Sequence, residues 1–251
     1  MAGHSKWSNI KHRKGRQDAL RGKLFAKLAR NIYVAAREGG TDPNNNNKLA
    51  LAIAKARAEN MPNENIERAS KKAAGGGEGE HYEEVLYEGY GPGGVAVMVE
   101  TLTDNRNRTA ADIRHIFSKS GGNLGESGCV AWMFERKGVL VIDRSSTKLE
   151  EDDLLMLALE AGAEDFEAAE DYFEITTTPD TFTDVKNALE AEGCTFTTAE
   201  VTRVPQNTVT VTGEDVPRVL KLMEALEEHD DVQSTSANFD IDEAEMEKYS
   251  S

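Results

Sequence analysis

Cysteine is nearly absent: Cys129 and Cys194 are the only two in 251 residues, far apart and without a CxxC spacing. Two such thiols exclude a disulfide scaffold and a zinc site, and their scarcity fits a reducing, cytoplasmic compartment. Long apolar runs are missing too. The longest, such as Gly94 to Val99, are strand-sized and too short to cross a bilayer, so no membrane partner is expected. Met1-Ala2-Gly3-His4-Ser5-Lys6 is basic but has no apolar h-region, so no secretory signal is expected. The glycosylation sequon at Asn107-Arg108-Thr109 carries no meaning without secretion. The five histidines (His4, His12, His81, His115, His229) show no metal-ligand spacing and no neighbouring nucleophile. Tyr87-Glu88-Gly89-Tyr90-Gly91-Pro92-Gly93-Gly94 has the glycine density of a phosphate-cradling loop. It lacks the Gly-Lys-Ser/Thr ending and leads into a strand, so it reads as a hairpin turn. No catalytic constellation, metal site, cofactor motif or small-molecule site is left, and the chain is read as a binding protein rather than an enzyme.

What the chain does have is charge, unevenly spread. A net charge of −16 would count against a nucleic-acid partner. Yet residues 1–72 hold 16 Lys+Arg against 6 Asp+Glu, a net of +10, and the remaining 179 residues carry −26. A basic module attached to an acidic body is the organisation this implies.

Gly75-Gly76-Gly77-Glu78-Gly79-Glu80 separates the two as a linker, with the charge changing sign across it. Before it, the spacing predicts three helices. Leu20, Leu24, Leu28, Ile32 and Ala35 make a helical stripe over 20–38, ended by Gly39-Gly40. Asp42-Pro43 supplies an N-cap and an N1 proline for a second helix through Leu49, Ile53 and Ala56. Asn60-Met61-Pro62 restarts the chain into a third, with Ile66, Ala69 and Ala73. After the linker the pattern is mixed. Strands are expected at Val85–Tyr87, Val95–Leu102, Val130–Phe134, Val139–Ile142, Phe173–Thr177, Phe196–Val204, Val209–Thr212 and Val232–Ala237. Helices are expected at Arg108–Lys119, Leu149–Ala161, Thr181–Ala191 and Val216–Glu228. Gly138 to Val204 reads β-α-β-β-α-β, the order of a ferredoxin-like unit. The fold class is therefore α+β: an N-terminal three-helix domain (1–77) and two ferredoxin-like α/β domains, one (135–205) inserted in the other (78–134 plus 206–240), with an acidic tail at 241–251.

The candidate binding residues lie in the basic module. Lys6, Lys11, His12, Arg13, Lys14, Arg16, Lys23, Lys27 and Arg30 hold most of the charge of the first 37 residues, where Asp18 is the only acid. On a helical projection Arg16, Lys23, Lys27, Arg30 and Arg37 share an arc opposite the apolar stripe. A solvated face normally interleaves Glu with Lys; without those partners this one needs an anion. That anion is phosphate, whose contacts release counterions, or else the acidic body itself in an intramolecular clamp. Trp7 either stacks on an unpaired base or packs on the bundle. Arg106 and Arg108, in Asp104-Asn105-Arg106-Asn107-Arg108-Thr109, either make a second anion contact or merely follow a helix cap at Asp104 or Asn105. The acidic runs Glu150-Glu151-Asp152-Asp153 and Glu227-Glu228-His229-Asp230-Asp231 read as a helix N-terminus and a solvated helix end.

At these residues the sequence resembles the YebC family of probable transcriptional regulatory proteins. The similarity rests on Met1 to Trp7 with His12-Arg13-Lys14, on Asp42-Pro43-Asn44, on Tyr87 to Gly94, on Asp104 to Thr109, and on Gly121-Gly122-Asn123-Leu124-Gly125. The resemblance implies three domains, one inserted in another, and a DNA-binding regulatory role. The family also includes the mitochondrial translational activator of cytochrome c oxidase, which implies an alternative: a ribosome-associated translation factor on ribosomal RNA, whose acidic α/β body faces a basic protein partner. On either reading, reversing Lys23, Lys27 and Arg30 to Glu is expected to abolish nucleic-acid binding and leave the fold intact.

Overall fold

The computed structural model describes Trp7 and residues 18–75 and 81–249. Three helices come first: α1 (Asp18–Gly39), α2 (Asn47–Ala58) and α3 (Asn63–Ala74). Leu28, Ile32, Ala35 and Ala36 of α1 are buried against Leu49 and Ala56 of α2 and Ile66 and Ala69 of α3. This i, i+4, i+7, i+8 stripe is the one the periodicity predicts.

The start of α2 differs from expectation. Asp42 builds a turn instead, accepting from the Asn44 N–H at 3.0 Å, and the helix begins five residues later. Its cap is Asn46, whose Oδ1 accepts from the Leu49 N–H at 3.1 Å. The amide nitrogen of the same side chain donates to the carbonyls of Ala35 at 2.7 Å and Gly40 at 2.8 Å. One buried asparagine thus closes the end of α1 and the start of α2, satisfying helix-terminal groups that would otherwise be orphaned.

Past the linker the chain forms two four-stranded sheets and a short two-stranded one. The first has the order β3-β1-β2-β9, from β1 (Glu83–Tyr90), β2 (Ala96–Thr103), β3 (Asn123–Leu124) and β9 (Val232–Ala237). β1 and β2 are the hairpin expected around Gly91 to Gly94. Helices α4 (Arg106–Lys119) and α7 (Asp215–Glu228) bury Ile113, Phe117, Val219, Leu222 and Met223 against Val97 and Val99 of β2. Ala96 and Met98, pointing the other way, pack on Val130 and Phe134, so β2 is covered on both faces. Val130–Phe134 is not the expected strand. Residues 131–133 make a 3-10 turn, and the buried Glu88 carboxylate holds it by accepting from the N–H groups of Gly128, Val130 and Ala131.

The second sheet runs β5-β6-β4-β7, from β4 (Phe134–Asp143), β5 (Asp165–Ala168), β6 (Tyr172–Thr177) and β7 (Thr198–Pro205). Helices α5 (Glu151–Glu160) and α6 (Phe182–Ala191) cover the face that carries Leu140, Ile142, Phe173 and Ile175. This is the β-α-β-β-α-β unit, with β5 as the short strand that residue pattern alone does not mark. It lies in sequence between β3 and β9 of the first sheet, so one α/β unit is inserted in the other. The first unit opens on a hairpin and so departs from ferredoxin-like order while keeping helices over one face of an antiparallel sheet. Short β8 (Val209–Thr210) pairs in parallel with β10 (Phe239–Asp240). The segment after 240, acidic in composition, forms α8 (Glu243–Tyr249), anchored by the fully buried Met246.

The units are joined by polar contacts. Glu100 of β2 accepts from Arg203 Nε of β7 at 2.9 Å, and Lys55 of α2 pairs with Glu200 of β7 at 2.7 Å. Asn46→Asp is expected to keep the Leu49 cap but to set a carboxylate oxygen against the Ala35 and Gly40 carbonyls. The variant should lose about 2 kcal/mol in urea unfolding, with no change in secondary structure by circular dichroism.

Candidate nucleic-acid interface

The acidic run Glu227 to Asp231 covers the end of α7, where the last carbonyls of a helix have no partner within the helix itself. Cations suit that end because the helix dipole is negative there. α1 supplies them. Lys27 Nζ donates to the Glu227 carbonyl at 2.5 Å, and Lys23 Nζ lies 3.5 Å from the Glu228 carbonyl and 3.8 Å from Asp230 Oδ1. One helical turn on, Arg30 donates to the Leu102 carbonyl at 2.8 Å and to Asp231 Oδ1 at 2.9 Å.

Asp231 is the centre of this contact. Its side chain is 4% exposed. Oδ1 takes Arg30, and Oδ2 accepts from Arg108 at 2.9 Å and from the Thr109 hydroxyl at 2.8 Å. Burial alone would raise its pKa; the hydrogen bonds from Arg108, Thr109 and Arg30 outweigh burial and hold it at about 2. The run read from sequence as a solvated helix end is therefore the point where the helical domain docks. Burial likewise pulls Lys27 down to about 8, against the attraction of Glu227 and Asp230. Its Nζ is committed to the Glu227 carbonyl, which leaves it less available to a phosphate.

The candidate residues now fall into groups. Lys6, Lys11, His12, Arg13, Lys14 and Arg16 lie outside the described residues. Trp7 is 2% exposed and packs in the core of the first α/β unit with Val97 and Phe117, so it is neither a surface platform for a base nor part of the bundle. Its large apolar ring gains more from that core than from water. Lys27 and Arg30, with Lys23 at longer range, contact the body, so reversing the three is expected to weaken docking as well as any nucleic-acid binding. Arg106 and Arg108 stand on the first turn of α4, capped by Asn105, whose side chain accepts from the Arg108 N–H at 3.1 Å. Asp231 joins two patches that are 78 residues apart in sequence: Arg30 and Arg108 sit on its two oxygens. Arg106 is exposed and has no ion-pair partner among the described residues.

Beyond Arg30 the cations continue across aromatic rings that sequence reasoning did not single out. The Arg30 guanidinium lies 4.8 Å from the Tyr82 ring centre; Tyr82 meets Tyr33 edge-on at 6.2 Å; and Lys72 Nζ lies 5.5 Å from the Tyr33 ring. Arg68, one turn before Lys72 on α3, shares the groove between α1, α3 and Tyr82, which has a volume of about 450 Å3. Arg68 and Lys72 at i, i+4 were a visible signal; Tyr82, alone beyond the linker, gave none. The result is a continuous strip: Arg68, Lys72, Tyr33, Tyr82, Arg30, Asp231, Arg108.

Two family models match this chain, the TACO1/YebC protein N-terminal domain over residues 5–76 and the TACO1/YebC second and third domain over residues 82–239. The chain belongs to the TACO1/YebC family. The gap between the two matches falls on the glycine-rich stretch where the charge changes sign. A family member from Anoxybacillus flavithermus, named "Probable transcriptional regulatory protein", is 60% identical over 240 residues, 96% of this chain and 98% of its own. Another of that name, from Natranaerobius thermophilus, is 57% identical over 248 residues, 98% and 99% of the two chains. The crystal structure of a conserved hypothetical protein from Aquifex aeolicus is 52% identical with a TM-score of 0.80, covering 90% of this chain and 92% of that one. In this chain Arg30 falls in the N-terminal match and Asp231 in the second, so their ion pair ties the two family segments together.

That tie sets a pH dependence. Asp231 titrates near 3.8 in the unfolded chain and at about 2 in the fold, so its ionised form stabilises the protein fully above about pH 4. The contribution, about 2 kcal/mol, should fade as pH falls from there through about 2. Acid unfolding followed by circular dichroism should show this, and Asp231→Asn should flatten the slope in that window while losing about 3 kcal/mol at neutral pH.

Proposed function

We propose that this protein is a non-catalytic, nucleic-acid-binding regulator of gene expression that grips phosphate backbone along the cation–aromatic strip. The strip carries the reading: it is continuous across the docking contact and presents Arg68, Lys72 and the half-exposed Arg108 outward, with the exposed Arg106 two residues before Arg108 on the same helix turn. Asp231 neutralises part of that charge but is buried, so it glues the strip together rather than facing a ligand. The start of α4 adds the positive end of a helix dipole beside Arg106. DNA as the target is supported by the names of the relatives, which are probable transcriptional regulators.

A second reading is favoured by one feature of the docking. Lys27 and Arg30, at the middle of the basic face of α1, are turned onto the body, so that part of the face is not offered to a major groove as a recognition helix would be. Binding through phosphates gives affinity without sequence choice, which suits ribosomal RNA as well as DNA. On that reading the acidic α/β body faces basic protein partners.

Crosslinking in cells, with sequencing of the DNA and RNA recovered, separates the two. Discrete promoter DNA supports the transcriptional reading, and ribosomal RNA with only diffuse DNA supports the translational one. In vitro, Arg68→Glu with Arg106→Glu should weaken binding to any sequence by tenfold or more at 0.1 M salt and lower the slope of log K against log salt by about 2. Unchanged affinity and slope would remove the strip from the interface.

A further inference from the structure

We infer that the groove between α1, α3 and Tyr82 is a subsite for one unpaired nucleotide, its base against Tyr82 and the apolar floor and its phosphate at Arg68 and Lys72. This rests on the nucleic-acid reading above and narrows it from backbone binding in general to single-stranded or locally unpaired chain.

The groove is built unlike a surface for phosphate alone. Its floor is apolar, with Phe25, Ala29 and Met61, while its cations Arg30, Arg68 and Lys72 share the lining with Tyr33 and Tyr82. Phosphates gain nothing from an apolar floor, but a flat base does, since stacking on aromatic rings contributes about 1–3 kcal/mol per base and tolerates any sequence. At about 450 Å3 the space is within the range of small-ligand sites. In a duplex the bases stay stacked and paired, and only a base freed from its stack presents a ring face to a side chain.

Tyr82 is well placed for this. It is half-buried, steadied by the Arg30 guanidinium and by the edge-on contact with the buried Tyr33. Arg30 is itself fixed by Asp231 and the Leu102 carbonyl, so the ring is held before any ligand arrives. Asn65, at the groove wall, offers both a donor and an acceptor to a base edge. An acidic peptide would use the cations but leave the flat apolar floor unfilled.

The test uses the full chain and fluorescein-labelled 12-mers, oligo(dT) and oligo(U) as single strands and a hairpin duplex of equal charge, read by fluorescence anisotropy. The wild type should bind the single strands at least fivefold more tightly than the duplex. Tyr82→Ala should erase that preference by weakening single-strand binding at least fivefold more than duplex binding, and Tyr82→Phe should retain it. A 4-thiouridine 12-mer should photocrosslink to the wild type within residues 61–82, a result that does not depend on any variant folding. Equal binding of single strand and duplex, equal losses on both for a folded Tyr82→Ala, or crosslinks confined to other segments would each overturn the subsite. So would displacement of oligo(dT) by oligoglutamate at equal charge concentration. Duplex-only binding that Arg106→Glu weakens would leave the proposed function standing and the subsite refuted; binding of neither nucleic acid would remove both.

Discussion

The arrangement of this protein depends on one buried carboxylate. Asp231 receives Arg30 from the helical domain and Arg108 and Thr109 from the first turn of α4, and all three approach a side chain with almost no exposure to water. A buried charge is costly unless several donors satisfy it, and the net contribution of such a site to stability is small compared with the cost of breaking it. What it fixes is geometry. Apolar packing holds each unit together and also crosses the junction, where Tyr33 and Val34 meet Leu102, whereas a carboxylate with donors on both oxygens specifies which helix turn of α1 meets which strand end of the body.

This changes the meaning of the charge asymmetry. A helix whose basic face lacks acidic partners does require an anion, and that inference holds. The anion, however, is supplied from about two hundred residues away, by the end of α7 and the turn after it. An acidic body and a basic module are thus complementary within one chain, and the net charge of −16 says little about what faces outward. The cations left exposed after docking, among them Arg68 and Arg106, matter more to a ligand than the larger number visible in sequence.

Much of the fold was legible because it is local. The stripe of α1, the alternation in β2 and the glycine-rich hairpin each obey a period set by backbone geometry. Where the reading failed, a distant partner decided. Asp42-Pro43 looks like a helix start, but Asn46 can reach the end of α1 as well as the start of α2, and that double use moves the cap. Val130–Phe134 has strand composition, yet the buried Glu88 gathers the N–H groups of Val130 and Ala131, with that of Gly128 before them, and residues 131–133 form a turn. Met246, a lone apolar residue in an acidic segment, is enough to anchor α8. Trp7 has the surroundings of a stacking residue and the burial of a core one. The candidate strip was half legible: the runs around α1 and Arg106–Arg108 stood out by charge, but their meeting at Asp231 and the place of Tyr82 beside Arg30 are tertiary facts with no sequence period behind them.

Arg30 carries the consequence furthest. Its single guanidinium serves the Asp231 ion pair, the Leu102 carbonyl and the face of Tyr82. The first two hold the domain in place; the third shapes the groove. Because these contacts share one planar group, moving the helical domain off the body withdraws the cation from the ring as well, and the strip breaks at its midpoint. Docking and the proposed binding are therefore not separable roles of separate residues. A lysine could keep the charge but not the planar fork that meets a carboxylate and a carbonyl while lying over an aromatic face. The constraint that positions the domain is in this way the same one that positions the surface it presents.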